Sequence, residues 1–143
     1  MLFDDNIGFI TFDFPENSKV TSPKLEDVKE GFLKGNMFTN EYIPYKNYMY
    51  SKIVPRTKRE ELLLEIMELC FAINDLNLYL DLHPTDQEIL KKFQHLVEKS
   101  CLKEMEYVKQ FGPIDVIDVN NSQQFNWIDD PWPWQNEGGA KYG

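Results

Sequence analysis

Two long runs without glycine or proline carry apolar residues at helical spacing. In the first run the apolar positions alternate in steps of four and three, as in the seam between packed helices. These positions are Leu62, Ile66, Leu69, Ile73, Leu76 and Leu80. A similar stripe follows in the second run, at Leu90, Phe93, Val97, Cys101, Met105 and Val108. The spacing predicts α-helices at about residues 58–81 and 86–111.

Signals at the ends of the two runs support these bounds. Thr57 stands three residues before Glu60, and Thr85 stands three residues before Glu88. Each pair is a capping box, in which the hydroxyl side chain caps the first turn of a helix. The second run ends at residues 112–113, where a glycine permits a left-handed cap and a proline blocks continuation.

A short turn at His83 and Pro84 makes the two predicted helices antiparallel. Facing pairs then follow from the two stripes: Leu76 with Leu90, Ile73 with Phe93, Leu69 with Val97, Ile66 with Cys101 and Leu62 with Met105. The predicted fold is therefore mainly α, an antiparallel two-helix hairpin with extended arms rich in aromatic residues and proline.

A second apolar stripe runs beside the seam of the first helix, at Leu64, Met67, Phe71 and Leu78. A single partner helix cannot cover both stripes, and an exposed patch of that size indicates a contact. Either the chain's own arms cover this stripe or another chain does.

The chain upstream of the hairpin divides into three predicted pieces. The first fourteen residues resemble an extended strand. A short helix is predicted from Ser22 and Pro23, ending near Gly31 or Gly35. Residues 36–50 are too aromatic for a solvated linker and predict an extended strap on a surface. We divide the chain into residues 1–54 with the strap, 55–135 with the hairpin, and a flexible tail at 136–143.

A Trp-Pro segment, Asp130-Pro131-Trp132-Pro133-Trp134, follows the hairpin. The two indoles either fold back onto the second stripe or anchor a partner, because tryptophan is enriched in interface hot spots. The alternatives are compatible, and self-association satisfies both. The predicted partner-binding residues are Tyr42, Tyr45, Tyr48, Leu64, Phe71, Trp127, Trp132 and Trp134.

Composition excludes several classes of partner. The net charge of −9 disfavours nucleic acid, which requires clustered lysine and arginine. The basic residues from Lys52 to Arg59 are interpreted as a solvated helix start. No apolar run reaches the roughly 20 residues of a membrane span, and the N-terminus lacks a secretory signal. We expect the protein to remain where it is made.

Candidate chemistry is sparse. Cys70 and Cys101 fall on apolar faces, where buried thiols act as small hydrophobic groups, and the register places them too far apart for a disulfide. His83 and His95 lack the ligand spacing of a di-iron site. No nucleophile motif or phosphate-binding loop occurs. We therefore expect no enzyme, no metal and no cofactor; a small enzyme or ligand-binding helical protein, formed by dimerisation into a four-helix bundle, is a distant alternative.

Several motifs resemble the CotJB family of spore-coat proteins. They are the stretch Leu69 to Leu90, especially Asn77 to Glu88, the stop Phe111-Gly112-Pro113, and Asp130-Pro131-Trp132-Pro133-Trp134. The resemblance covers about residues 60–135. Upstream, Glu30 to Phe38 and Tyr42 to Tyr45 are similar to the short CotJA spore-coat peptides. This second likeness implies a fusion of two coat components.

The resemblance implies a structural or assembly protein, made in the cytoplasm and placed in the inner spore coat. It also implies a protein partner similar to manganese catalases, whose metal ligands this chain lacks. The alternative is an adaptor or accessory subunit that stabilises or positions a metalloenzyme and has no role in building a coat. A self-assembling homo-oligomer is a further alternative.

Overall fold

A computed structural model describes residues 21–41, 43, 45–46, 48–121, 123 and 125. It contains α1 (Val28–Lys34), α2 (Lys58–Leu82) and α3 (Gln87–Phe111), followed by a 3₁₀ helix (Val116–Asn121). Leu25 and Phe38 form an isolated antiparallel bridge. The described part of the chain is thus mainly helical, and α2 and α3 pack together as the predicted hairpin.

Helix α2 begins where the capping signal predicts. The Thr57 hydroxyl accepts a hydrogen bond of 3.1 Å from the Glu60 N–H. The Glu60 carboxylate accepts from the Arg56 N–H at 2.6 Å, which fixes the chain entering the helix. At the far end of the hairpin, α3 stops at Gly112, which has a φ of 97° and donates its N–H to the Val108 carbonyl. Positive φ favours glycine there.

Helix α3 is capped by Asp86, so the predicted cap at Thr85 is wrong by one residue. One Asp86 carboxylate oxygen accepts from the N–H groups of Glu88 and Ile89, both at 3.1 Å. Asp86 is itself buried. Threonine and aspartate are both good helix N-caps. The Asp86 carboxylate also accepts hydrogen bonds from Ser22 and Tyr79, a role that the Thr85 hydroxyl does not fill.

Three side-chain contacts between α2 and α3 establish the antiparallel register around His83. Arg59 Nε donates to the Tyr107 hydroxyl at 3.0 Å. Lys103 Nζ lies 2.8 Å from Glu65 Oε2. Near the middle of the helices, Cys70 Sγ lies 3.7 Å from Ser100 Oγ.

The face that α3 turns towards α2 differs from the predicted one. The buried residues of α3 are Ile89, Leu96, Ser100 and Tyr107. By contrast, Val97 is 41% exposed, Met105 is exposed, and Leu90 is only half-buried. Neighbouring residues of a helix point about 100° apart, so the predicted stripe lies to one side of the real interface. Phe93 belongs to both stripes and packs, half-buried, on the core.

On α2 the predicted seam is largely correct. Leu62, Ile66, Leu69 and Leu76 are buried, and Ile73 packs half-buried against the core. Ala72 is also fully buried, although the pattern did not single it out. Its small side chain lies on the side of α2 that receives the N-terminal segment.

Helix α1 begins at Val28 with Asp27 as its cap, so the predicted start at Ser22 and Pro23 is wrong. Ser22 instead donates a hydrogen bond of 2.8 Å to Asp86, far along the chain. Helix α1 ends at Gly35, whose φ of 75° lies in the left-handed region.

Met37 joins the N-terminal segment to the core of the hairpin. Its side chain is fully buried in one cluster with Leu69, Leu76 and Leu96. A Cβ atom at Gly31 would collide with Met37 Sδ, so the close approach of α1 requires a glycine there. The N-terminal segment is therefore part of the same core as the hairpin.

Candidate partner-binding surfaces

The chain's own N-terminal segment covers part of the second stripe of α2. The ring of Phe32 meets Phe71 edge-on, with centroids 5.8 Å apart. Phe38 packs against Tyr79 at 5.3 Å. Phe71, predicted to bind a partner, is therefore half-buried within the chain. Met67 and Leu78, which belong to the same stripe, remain exposed.

Asp86 fastens the start of the N-terminal segment to both helices of the hairpin. Besides capping α3, its carboxylate accepts from Ser22 Oγ at 2.8 Å and from the Tyr79 hydroxyl at 3.0 Å. About one helical turn before Tyr79 on α2, Asp75 Oδ2 accepts a hydrogen bond of 2.7 Å from the Met37 N–H. The segment is thus held by polar contacts at two places as well as by apolar packing.

These contacts change two pKa values. Burial by itself raises the pKa of the Asp86 carboxyl, but the hydrogen bonds from Ile89, Ser22, Tyr79 and Glu88 outweigh it and hold that pKa below its usual value. Burial and the hydrogen bond to Asp86 raise the pKa of Tyr79 to about 12. Both shifts favour a neutral tyrosine beside an ionised aspartate.

Residues 43–54, which we call the 43–54 segment, lie between α1 and α2 and include several exposed apolar residues. Tyr45 and Tyr48, both predicted to bind a partner, are exposed there. Four apolar residues that the prediction omitted are exposed as well: Ile43, Met49, Ile53 and Val54. Met49 is 86% exposed, which is unusual for a large apolar side chain unless it serves a contact.

The 43–54 segment is fixed at both ends and near its middle. Upstream lie the buried Met37 and the ring contact of Phe38; downstream, Thr57 caps α2. The Tyr50 hydroxyl donates to Glu30 Oε2 at 2.7 Å, a contact that raises the pKa of Tyr50. The Tyr50 contact therefore ties the segment to α1, while Tyr48, Met49 and Val54 stay exposed.

The 43–54 segment and the residues that follow it up to residue 59 are basic. Residues 42–59 contain five basic residues, Lys46, Lys52, Arg56, Lys58 and Arg59, and no aspartate or glutamate, whereas the whole chain carries a net charge of −9. This absence of acidic residues is the sequence signal that could have extended the predicted strap to residue 54. Arg59 is not solvated as predicted, because it is buried against Tyr107.

Leu64 lies in a cleft where the 43–54 segment approaches the helices. The cleft has a volume of about 270 Å³, and Leu33, Ile53, Pro55 and Leu64 contribute its apolar lining. Leu64 is half-buried there. Leu64, a predicted partner-binding residue, therefore shares a cleft with Ile53 of the 43–54 segment.

An apolar groove runs along the hairpin between α2 and α3, and we refer to it as the hairpin groove. It has a volume of about 410 Å³, with Cys70, Ile73, Phe93, Val97 and Cys101 in its lining. Both cysteines are free thiols and both are exposed, so the prediction that they are buried filler is wrong. The sequence predicted no disulfide between Cys70 and Cys101, and both are free thiols.

Several predicted features lie outside the described residues. These are the partner-binding residues Tyr42, Trp127, Trp132 and Trp134, the strand-like first fourteen residues and the tail at 136–143. The choice between a folded-back Trp-Pro segment and a partner anchor stays open.

Two features are absent from the part of the chain that the structure describes: a metal-binding cluster and a membrane-spanning helix. Among them, no group of three or more histidine, cysteine, aspartate or glutamate side chains is placed to hold a metal ion. No described helix is both long enough and apolar enough to cross a membrane. The exposed apolar side chains of the 43–54 segment are candidate sites for protein contacts because they are clustered along the chain.

No curated protein and no solved structure is significantly similar to this chain. A family model described as CotJB protein matches residues 60–135, which include all but the first two residues of α2, the whole of α3 and the Trp-Pro segment. The match does not reach the upstream residues similar to CotJA, and that likeness stays a prediction. Because the match spans more than half of the sequence, the chain belongs to the CotJB family, which is a family of spore-coat proteins.

Proposed function

We propose that this protein is a non-catalytic assembly protein of the inner spore coat that binds a coat component similar to manganese catalases. The observation that supports a binding role is the set of exposed apolar residues in the 43–54 segment, which is tied to α1 by Tyr50 and leads into the packed helical hairpin. A coat protein of this kind acts by placing contact surfaces at fixed positions.

The backbone of residues 49–54, the second half of the 43–54 segment, is available for pairing. Between residues 49 and 55, no backbone group makes a hydrogen bond to the backbone of another described residue. Extended segments with free N–H and C=O groups bind by adding a strand to a sheet edge or by lying in a groove. Because both ends of the segment are anchored, binding orders fewer residues and loses less conformational entropy.

The charge of the segment defines the partner surface. Lys46, Lys52 and Arg56 stand in sequence among the exposed apolar residues of the segment, and residues 42–59 contain no aspartate or glutamate; Lys58, by contrast, pairs with Glu61 at 3.0 Å. Complementary charge steers association and selects partners. The partner surface is therefore acidic at its rim and apolar at its centre.

Co-purification with the catalase-like coat protein of the same host tests this proposal, with light scattering to determine the mass of the complex. Met49→Ala should weaken binding. Met67→Ala is the matched control, because Met67 is also an exposed methionine but lies on α2, outside the 43–54 segment. Equal binding by the wild type and the Met49 variant would contradict the proposed contact.

The second candidate function is an adaptor that stabilises or positions a metalloenzyme without building a coat. It uses the same exposed segment, so binding data alone do not separate the two functions. Deleting the protein separates them: an assembly protein changes the composition of the coat, whereas an adaptor changes only the abundance and activity of the enzyme.

A further inference from the structure

We propose that the cleft beside Leu64, which we call the Leu64 cleft, binds one arginine side chain of the protein that docks on the 43–54 segment. The inference rests on the proposed function for the identity of that protein, and it adds the side chain that the protein must supply. Its basis is a buried carboxylate without a partner, the apolar lining next to it, and the unpaired backbone that borders the cleft.

Glu68, near the middle of α2, is a buried carboxylate in the lining of the Leu64 cleft. Only 7% of the residue is exposed, and no hydrogen bond or ion pair joins its side chain to another described residue. Glu65, one turn earlier on the same face, lies 2.8 Å from Lys103 and is therefore paired. A buried carboxylate without a donor is costly, because it has lost water without gaining another hydrogen bond. A donor that enters the cleft removes this cost.

The charges around Glu68 do not compensate for its burial. Burial raises the pKa of the Glu68 carboxyl, and Glu65 and Asp27 act in the same direction. Lys29 on α1 and Lys99 on α3 oppose this rise in pKa without cancelling it, and neither forms an ion pair with Glu68. A cation that reaches the carboxylate directly therefore stabilises its ionised form.

Carboxylates outnumber basic groups in the lining of the Leu64 cleft. The lining contains four glutamates and two lysines, an excess of two carboxylates: Glu30, Glu61, Glu65, Glu68, Lys29 and Lys52. Both lysines are exposed, so their ammonium groups are free to turn towards water. A metal ion does not suit the cleft, because the described residues contain no group of three or more metal-ligating side chains placed together. The excess of carboxylates therefore favours an organic cation.

The apolar lining and the size of the cleft fit one arginine side chain. Leu33, Ile53, Pro55 and Leu64 provide apolar surface, on which the hydrocarbon stem of a basic side chain packs while its head keeps a polar partner. The volume of about 270 Å³ lies below the roughly 300–1,000 Å³ of small-molecule sites. Arginine suits a buried ion pair better than lysine does, because its guanidinium is more weakly hydrated and binds a carboxylate through two parallel hydrogen bonds.

The cleft borders the backbone that is available for pairing. Lys52 and Ile53 belong to its lining, and residues 49–54 make no backbone hydrogen bond to another described residue. A strand added there passes the cleft, and its alternate side chains point to the same side. One of these side chains enters the cleft, while Lys46 and Arg56, which are absent from the lining, face the acidic rim of the partner.

Titration of the full-length chain with N-acetyl-arginine amide tests the cleft without the coat component. NMR should show shift changes at the amides of Leu64 and Glu68. The dissociation constant should be at least about tenfold lower than that of N-acetyl-citrulline amide, which has nearly the same shape without the charge. This comparison uses the wild-type chain, so it does not depend on the folding of a variant.

Glu68→Gln should raise the dissociation constant of the arginine amide about tenfold or more, because glutamine keeps the shape of the side chain and removes its charge. Glu98→Gln is the matched control, since Glu98 is an exposed carboxylate of α3 and is absent from the cleft lining. Circular dichroism checks that both variants fold. Glu68→Gln should weaken the complex with the coat component by a similar factor, and Glu98→Gln should leave it unchanged.

Four results would overturn the proposal. The first is equal binding of the arginine and citrulline amides by the wild type, and the second is wild-type affinity for the arginine amide in Glu68→Gln. The third is a coat complex that Glu68→Gln leaves unchanged. The fourth is a Glu68 carboxyl whose pKa in the free chain is not raised, because Lys29 or Lys99 then already pairs with it.

Failure of the proposed function has a different result. A wild-type chain that binds the arginine amide at Glu68 but does not bind the coat component contradicts the coat partner, and it leaves the Leu64 cleft as a site for an arginine of another protein.

Discussion

The Tyr79 hydroxyl, near the end of α2, donates a hydrogen bond of 3.0 Å to the Asp86 carboxylate that caps α3. The same carboxylate accepts from Ser22 of the N-terminal segment. One side chain therefore joins both helices and the segment that covers them, and its removal affects all three.

Asp86→Ala should lower the free energy of unfolding by about 2–3 kcal/mol, since it removes a helix cap and leaves two hydroxyl groups without their acceptor. Urea denaturation measures the change. Thr85→Ala is the control, because Thr85 is exposed and is not the cap. An equal loss of unfolding free energy in Thr85→Ala and Asp86→Ala would instead support the predicted capping box at Thr85.

Acid should weaken the fold through Asp86. Because its pKa is lowered in the folded state, its stabilising effect is present above its unfolded value of about 3.9 and is lost as pH falls through the folded value. Urea denaturation over this pH range should show a smaller decrease in Asp86→Asn than in the wild type. If the unfolding free energy of the wild type and of Asp86→Asn depended on pH in the same way, the Asp86 charge would have no role in stability.

At alkaline pH the effect comes from Tyr79. Its folded pKa of about 12 lies above its ordinary value of 10.0. The stabilisation from the protonated hydroxyl is therefore complete below about pH 10 and is lost as pH rises towards about 12. Tyr79→Phe should reduce this loss, and it should remove a tyrosine component that titrates at about pH 12 in the wild type, as followed by spectrophotometric titration. An ordinary tyrosine titration at this position would contradict the buried hydrogen bond.

Met37→Ala should lower the free energy of unfolding by about 2–5 kcal/mol, because the side chain is fully buried. The same substitution at the exposed Met67 should change it by less than about 0.5 kcal/mol. Thermal denaturation of both variants makes the comparison. Similar small effects would mean that the N-terminal segment does not share the core of the hairpin.

Two adjacent residues of α3 test which face packs on α2. Leu96→Ala should lower the free energy of unfolding by about 2–5 kcal/mol, since Leu96 is 3% exposed. Val97→Ala should cost less than about 1 kcal/mol, because Val97 lies at the open groove. The reverse order would support the register predicted from the sequence.

The bounds of α2 and α3 were predictable to within one residue from the sequence, whereas the start of α1 and the interface of α3 were not. Thr57 and the Gly112-Pro113 stop act through neighbouring residues, so the sequence contains what is needed. The buried stripe of α3 is interrupted by Ser100, while the exposed stripe is more continuously apolar. Counting apolar positions therefore selects the exposed one.

Contacts between distant parts of the chain were also beyond prediction. Met37 is buried because Gly31 permits a close approach, and Ser22 is held by Asp86. Neither pairing leaves a local pattern. Of the candidate site, the aromatic composition predicted Tyr45 and Tyr48 as contact residues, but their exposure and the extension to Val54 required the structure.

Amide hydrogen exchange tests the central claim most directly, by comparing the chain alone with the chain bound to the catalase-like coat protein. We expect slower exchange at residues 49–54, where the backbone lacks backbone partners in the free chain, and little change in the buried parts of α2 and α3. Unchanged exchange in residues 49–54, with protection confined to other surfaces, would contradict the proposed contact.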